Sequence, residues 1–358
     1  MRFDTVQDLI AAIRPDPREE EARRGAHRRW ASIAKPLDSL GLLETAVEDI
    51  AALTLTDGID LSGRALLLLC ADNGVVAQGV TQTDYTVTAA VARNAGAGRS
   101  SVCRMAAVAG CPVVPVDLGM RDPGEIPGVL RRRIGNGTGD ITRGPAMSRE
   151  QAELAVLTGA ELALEQKERG VRLLATGEMG IGNTTTSSAV ACALLGRPTA
   201  EMTGRGAGLS DAGLRRKLRA VETALAVNRP DPADPLDVLA KVGGFDIAGM
   251  CGIFLGGAAG RVPVLMDGFI STVSALCALR LCPEAGKAML ASHVSAEPAG
   301  RKILEALGKK PLITAGMRLG EGTGAVAAIP LLDMALALYL NGTTFDNTGI
   351  EAYRPQRA

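Results

Sequence analysis

Apolar and polar positions along the chain fall into alternating blocks. Residues 64–72, RALLLLCAD, are an unbroken apolar run closed by a carboxylate, the pattern of a strand buried on both faces. It recurs at 111–120 (CPVVPVDLGM), 171–178 (VRLLATGE), 262–269 (VPVLMDGF) and 289–295 (MLASHVS). Between these runs the spacing turns helical: 86–110, loosened by glycines, 148–170 with Ser148 as cap, 184–195, 210–227, a region opening at 235–244, 274–290, and an apolar closing helix at 324–340. Strand–helix alternation predicts a parallel sheet with helices on both faces, a Rossmann-like three-layer α/β fold with right-handed crossovers. Residues 1–55 differ, with charge-rich helices broken at Pro15, Pro17 and Pro36. The expected division is a small helical domain from residues 1–58 with about 325–358, and a large α/β catalytic domain over 59–324. There is no internal repeat.

Composition narrows the function classes. The 358 residues are 47% apolar, enough for a sizeable core, and 39 basic residues balance 39 acidic ones. Zero net charge argues against a nucleic-acid surface, and an aromatic content of 3% removes base-stacking platforms. Seven cysteines without a C-x-x-C pair read as small buried hydrophobes of a cytoplasmic protein. His27 and His293 are too few for a zinc site, so no metal is expected. The N-terminus lacks a secretory core. The apolar stretch at 242–270 contains Asp246 and Arg261 and reads as buried helix, turn and strand, so no membrane span is expected.

Ligands of open parallel sheets bind at the carboxyl ends of the strands. The polar residues there are Asp72–Asn73, Asp117, Glu178, Asp267, and then His293, Ser295 and Glu297. After the third strand, LLATGEMGIGNTTTSS sets Glu178 before a glycine-rich loop and a helix start. That loop reads equally as a capped helix after a tight turn or as a phosphate site using unpaired backbone N–H groups. In MRLGEGTGA, Glu321 sits between glycines ahead of an apolar helix. It is either a turn residue favoured by the helix dipole or a desolvated general base. TGRGAGLSDAGLRRK adds Arg205 and Lys217 as phosphate partners, with Ser210 and Asp211 capping a helix.

GEMGIGNTT, GRGAGLSD, DGFI, SHVSAEP and MRLGEGTGA occur in that order, with ADNGVVAQGVTQTD upstream. Across roughly residues 60–340 the chain resembles the nicotinate-nucleotide–dimethylbenzimidazole phosphoribosyltransferase family of cobamide biosynthesis. The resemblance implies transfer of the phosphoribosyl group of nicotinate mononucleotide to an aromatic base, by a cytoplasmic homodimer with no cofactor. It implies Glu321 as general base and Glu178 as second carboxylate. Gly180, Ile181, Gly182, Asn183 and Thr184 become the phosphate-ribose loop, with Lys217 beside the phosphate. Thr81, Gln82, Tyr85, Met317 and Leu319 are expected in the base pocket, fed also by Val80 and Val87. One departure bears on the acceptor: Ala89–Ala90 follow Thr88 where many relatives have a glutamine. Relatives with variant pockets take purines, other benzimidazoles or phenols. Two rival readings are an NTP-using kinase or hydrolase, holding Mg²⁺ on Asp72 or Asp267, and a non-catalytic nucleotide-binding regulator.

Overall fold

The computed structural model describes residues 2–353. Its single sheet has six parallel strands: β1 (Arg64–Ala71), β2 (Val113–Gly119), β3 (Leu130–Arg131), β4 (Leu173–Met179), β5 (Val264–Met266) and β6 (Met289–Ala291). The spatial order is β3-β2-β1-β4-β5-β6. The chain therefore builds outward from β1 on one side, crosses back, and builds outward through β4 on the other. The direction reverses between β1 and β4, which pair from Arg64↔Leu173 to Cys70↔Met179. A crevice opens beyond the strand ends at such a point.

The helices in chain order are α1 (Val6–Ala12), α2 (Arg18–Ser32), α3 (Leu42–Thr54), α4 (Thr86–Gly96), α5 (Ser101–Val108), α6 (Arg149–Glu168), α7 (Asn183–Leu195) and α8 (Thr199–Met202). They continue with α9 (Asp211–Asn228), α10 (Pro235–Val242), α11 (Phe245–Gly260), α12 (Phe269–Leu281), α13 (Gly300–Ala306), α14 (Thr323–Asn341) and α15 (Phe345–Thr348). Strand periodicity sorts β1 between two cores. Ala65, Leu67, Leu69 and Ala71 face the layer of α1, α6, α7 and α9–α13, while Leu66, Leu68 and Cys70 face α2–α5 and α14. The result is the expected three layers.

Local chemistry accounts for the element ends. Ser148 caps α6 in a reciprocal capping box with Gln151. Pro283 follows the end of α12 and opens a 3₁₀ turn, so the helix read at 274–290 spans Phe269–Leu281 instead. The helix read at 86–110 is two, parted by residues 97–100. The two-residue edge strand β3 carries no apolar run and has no sequence signature. Helix α11 is buried along almost its whole length. It lies so close to α6 that a Cβ on Gly252 would come within 1.9 Å of the Val156 carbonyl oxygen. Only glycine permits that approach.

The chain ends are distributed over both faces. Val6 and Leu9 of α1 join the core beneath α6 and α11. On the other face Trp30 of α2 packs on Tyr339 of α14 with ring centroids 5.0 Å apart. Arg29 donates to the Tyr339 carbonyl at 2.7 Å. Helix α14 also packs on β4 and β5. It is long and apolar enough to cross a membrane by composition alone, yet its apolar face is committed to this core.

Candidate active site

A cleft of about 290 Å³ opens beyond the carboxyl ends of β4, β5 and β6, with its wall carried into the β1–β4 switch point by the residues after β4. Glu178, Asn183, Thr184, Asp267, His293, Ser295, Glu297 and Glu321 all line it. The N-termini of α7 and α12 open into it through Asn183–Thr184 and Phe269–Ser271. Their dipoles present positive potential, suited to a bound anion.

Glu178 ends the buried part of β4 and is 8% exposed. Burial, with Asp246, Asp267 and Glu321 nearby, raises its pKa well above the usual carboxylate range, against a hydrogen bond from Asn183. The Asn183 amide nitrogen donates to Glu178 Oε2 and, at 2.9 Å, to Asp246 Oδ2. Asp246, in the first turn of α11, is fully buried, and burial pushes its pKa up to about 6.

Glu321 is held differently. Gly320, Glu321 and Gly322 are consecutive left-handed residues, with φ of 87°, 60° and 90°. A glutamate seldom adopts that conformation. Three contacts hold the turn in place: Asp267 accepts the N–H groups of Gly322 at 3.1 Å, Gly324 at 2.7 Å and Ala325 at 3.2 Å. Asp267 thus anchors the start of α14, and its oxygens are committed to that role. Glu321 Oε2 accepts from Val102 N–H at 3.3 Å. His293 stands beside this anchor, its Nδ1 3.1 Å from Ser292 Oγ and 4.0 Å from Asp267 Oδ1, and burial lowers its pKa.

Lys217 of α9 does not itself line the cleft: it is fully buried behind the Thr184 wall, where its Nζ donates to Thr184 Oγ1 at 2.8 Å. Burial lowers its pKa to about 8, while Glu297 pulls the other way. Arg318 lines the cleft beside Leu319.

Several expected site residues are placed elsewhere. Arg205 pairs with Asp211 and donates to the Leu209 carbonyl, away from the cleft. Asp117 lies within β2 and pairs with Arg133 at 2.8 Å. Gln82 donates to the carbonyls of Ala207 and Gly208 at 2.9 and 2.6 Å, bracing the Gly206 loop. Thr81 donates to the Thr83 carbonyl at 2.6 Å. Tyr85 is 43% exposed beneath Arg121. Neither these three nor Met317, Val80 and Val87 line the cleft; its apolar wall is Val91, Met179, Ile181, Phe269, Ile270 and Leu319. Within the glycine loop, Gly180, Ile181, Asn183 and Thr184 line it, but the Ile181 N–H goes to Thr88 Oγ1 at 3.2 Å. Gly182, with φ of 95°, turns the chain against Val76 and Asn73. Asp246 is the residue that motif reading passed over. Its signal was a lone carboxylate inside an otherwise apolar helix. Among the described residues no group of three or more His, Cys, Asp or Glu side chains is arranged to hold a metal.

A doubly wound sheet with carboxylates in its cleft and a buried lysine bonded to the Thr184 wall fits the phosphoribosyltransferase class. The profile of a phosphoribosyltransferase family matches residues 16–350. The chain belongs to the nicotinate-nucleotide–dimethylbenzimidazole phosphoribosyltransferase family. It is 46% identical to the enzyme of that name from Ruminiclostridium cellulolyticum over 335 residues, 94% of this chain and 95% of the relative. It is 46% identical to that from Acetivibrio thermocellus over 329 residues, 92% of this chain and 94% of the relative. Its fold matches that of CobT from Thermus thermophilus with a TM-score of 0.88 at 40% identity, covering 93% of this chain and 100% of that one.

Proposed function

We propose that this chain transfers the phosphoribosyl group of nicotinate mononucleotide to 5,6-dimethylbenzimidazole or a related base. The products are an α-riboside 5′-phosphate, for cobamide nucleotide-loop assembly, and nicotinate. The observation that carries this reading is the meeting in one cleft of Glu178 and Glu321 with Thr184, which the buried Lys217 holds from behind. A nucleotide with a 5′-phosphate and a pyridinium nitrogen on C1′ has groups to match both.

In the reaction the C1′–N bond breaks and its electron pair neutralises the pyridinium ring, so nicotinate leaves with little acid assistance. Positive charge grows on the ribose, and Glu178 stabilises it or holds the ribose hydroxyls. The unprotonated ring nitrogen of the acceptor attacks C1′ with its lone pair, and the proton on the other ring nitrogen passes to Glu321. Lys217, Thr184 and the N-terminus of α7 hold the phosphate, while Gly180, Ile181 and Asn183 shape the ribose side. Leu319 and the apolar wall face the flat base. The assembly is a cytoplasmic homodimer.

The substitution of alanine at positions 89–90, directly before the cleft residue Val91, supports a second acceptor class, other lower-ligand bases. The test is incubation of the purified chain with nicotinate mononucleotide and a panel of bases, read by mass spectrometry. Riboside phosphate and free nicotinate, formed equally with EDTA, are expected. No nicotinate release would overturn the reading.

A further inference from the structure

Two buried carboxyl groups lie side by side in this protein. Among the described residues, neither Glu178 nor Asp246 forms an ion pair, although Arg318 lines the same cleft as Glu178; their shared partner is the neutral amide of Asn183. Asp246 Oδ1 accepts the Ile247 N–H, at 3.0 Å. Asp72 and the Cys70 thiol face the pair from β1, Asp267 from the end of β5, Glu321 from the turn before α14, and His293 from beyond β6, next to Asp267. Arg121 lies towards Asp72. Asp246 does not line the cleft, whereas Glu178 and Asn183 do.

We propose that Asp246 is a positioning residue for phosphoribosyl transfer: acting through the two amide N–H groups of Asn183, it fixes the Glu178 carboxylate against the turn before α14, and the pair holds one proton that leaves when the pyridinium ring of the nucleotide binds. This rests on the function proposed above.

The geometry allows little else. An asparagine side chain has two N–H groups on one nitrogen, and here both are used on carboxyl oxygens. With one end pinned by Asp246, the amide cannot flip or swing, and the other N–H holds Glu178 Oε2. The second oxygen of Glu178 lies at the backbone of Gly320, where a Cβ would come within 2.7 Å of it. Two desolvated carboxylates bridged by a neutral amide do not both ionise readily. Burial raises the pKa of both, which favours a proton on the pair in the free protein. A pyridinium nitrogen entering beside Glu178 supplies the missing positive charge, and the proton passes to solvent. Asn183, expected from its motif to hold phosphate or ribose, thus orients a carboxylate.

Calorimetry of nicotinate mononucleotide binding to the intact wild-type protein, in two buffers of different ionisation enthalpy at pH 6, should show net release of roughly half to one proton beyond that released on binding ribose 5-phosphate, whose phosphate titrates in the same range. No release beyond that of ribose 5-phosphate overturns the retained proton, and needs no variant. Asp246→Asn should lower kcat about 10–100-fold with KM for the nucleotide changed less than about threefold. It should also move the acidic limb of the kcat/KM profile to lower pH, because the neighbouring negative charge is gone. A purely structural residue would leave that limb in place. Asn183→Ala breaks the bridge independently, and Asn183→Ala/Asp246→Asn should be no slower than Asn183→Ala alone. Additive losses would overturn the role of Asp246 while leaving wild-type turnover intact. If wild-type protein releases no nicotinate, the functional reading itself fails.

Discussion

Replacing Lys217 with methionine should make the unliganded protein more stable and the enzyme useless. The lysine is fully buried, its Nζ donates to Thr184 Oγ1, and its pKa is lowered from 10.5 to about 8, chiefly by burial. Such a lowering corresponds to about 3 kcal/mol of destabilisation where both folded and unfolded chains carry the proton, below about pH 8. Between about pH 8 and 10.5 the folded chain releases the proton while the unfolded chain keeps it, so the penalty declines with rising pH and is gone above that window. Methionine keeps the aliphatic stem and removes the charge. The lost hydrogen bond offsets about 1 kcal/mol. A net gain of about 2 kcal/mol over 358 residues amounts to a rise in Tm of about 3 °C at pH 7. Thermal unfolding from pH 7 to 10 should show this gap closing as pH rises. Nicotinate mononucleotide at a hundredfold excess over Kd should stabilise wild type by about 2.7 kcal/mol and the variant hardly at all. A variant less stable than wild type at pH 7, or one that retains the nucleotide-induced shift, would refute both the burial argument and the phosphate role.

Other outcomes follow from the same cleft. Glu321→Gln, which keeps shape and backbone but accepts no proton, should lower kcat roughly 10²–10⁴-fold with nucleotide affinity largely kept; activity within a few-fold of wild type removes it from the base role. Gly182→Val should reduce stability as well as nucleotide affinity, since φ is 95° and a Cβ would meet Val76 and Asn73 at 3.0 and 3.2 Å; unchanged Tm and affinity would contradict this placement. In competition assays, dimethylbenzimidazole and 5-methylbenzimidazole should give kcat/KM values within roughly 200-fold, because an apolar wall discriminates a single missing methyl by only about 1–3 kcal/mol. Adenine should be poorer, and a strong preference for it would show that a polar group serves the base.

The layers of this fold were legible because strands buried on both faces read as continuous apolar runs, as at Leu66–Leu69, and because helix starts such as Ser148 carry capping chemistry. The edge strand β3 was not, since two residues at a sheet margin need no apolar run. Glycine-bounded motifs located Glu178, Glu321 and the α7 start, all of which meet in the cleft. Of the residues expected in the base pocket, Leu319 lines this cleft and Gln82 and Thr81 do not. Gln82 and Thr81 are close to the motifs in sequence, but their hydrogen-bonding groups are spent on backbone carbonyls, of the Gly206 loop and of Thr83. Which polar group faces a ligand and which braces a loop is decided by tertiary partners, and local spacing does not encode them. Asp246 illustrates the converse. It lies 68 residues from Glu178 in sequence, in a helix whose apolar composition signals only burial.

Charge placement ties these observations together. A chain of zero net charge has no long-range field with which to attract an anionic nucleotide, so recognition must come from groups inside the cleft. Lys217 behind Thr184 and the Glu178–Asp246 pair around Asn183 are each held in surroundings that disfavour their charged forms. Each is therefore a source of instability in the free protein, and each is relieved by the opposite charge of the proposed substrate. The left-handed Glu321 adds backbone strain at a third point of the same cleft. Relief of the two electrostatic penalties depends on both ends of the nucleotide being present. Inorganic phosphate should relieve only Lys217, and free nicotinate, which has lost the fixed ring cation, should relieve neither. Thermal shifts from those two fragments should consequently sum to less than the shift from intact nicotinate mononucleotide, by more than the advantage of joining them alone would give, and the excess should shrink in Asp246→Asn while the phosphate shift persists.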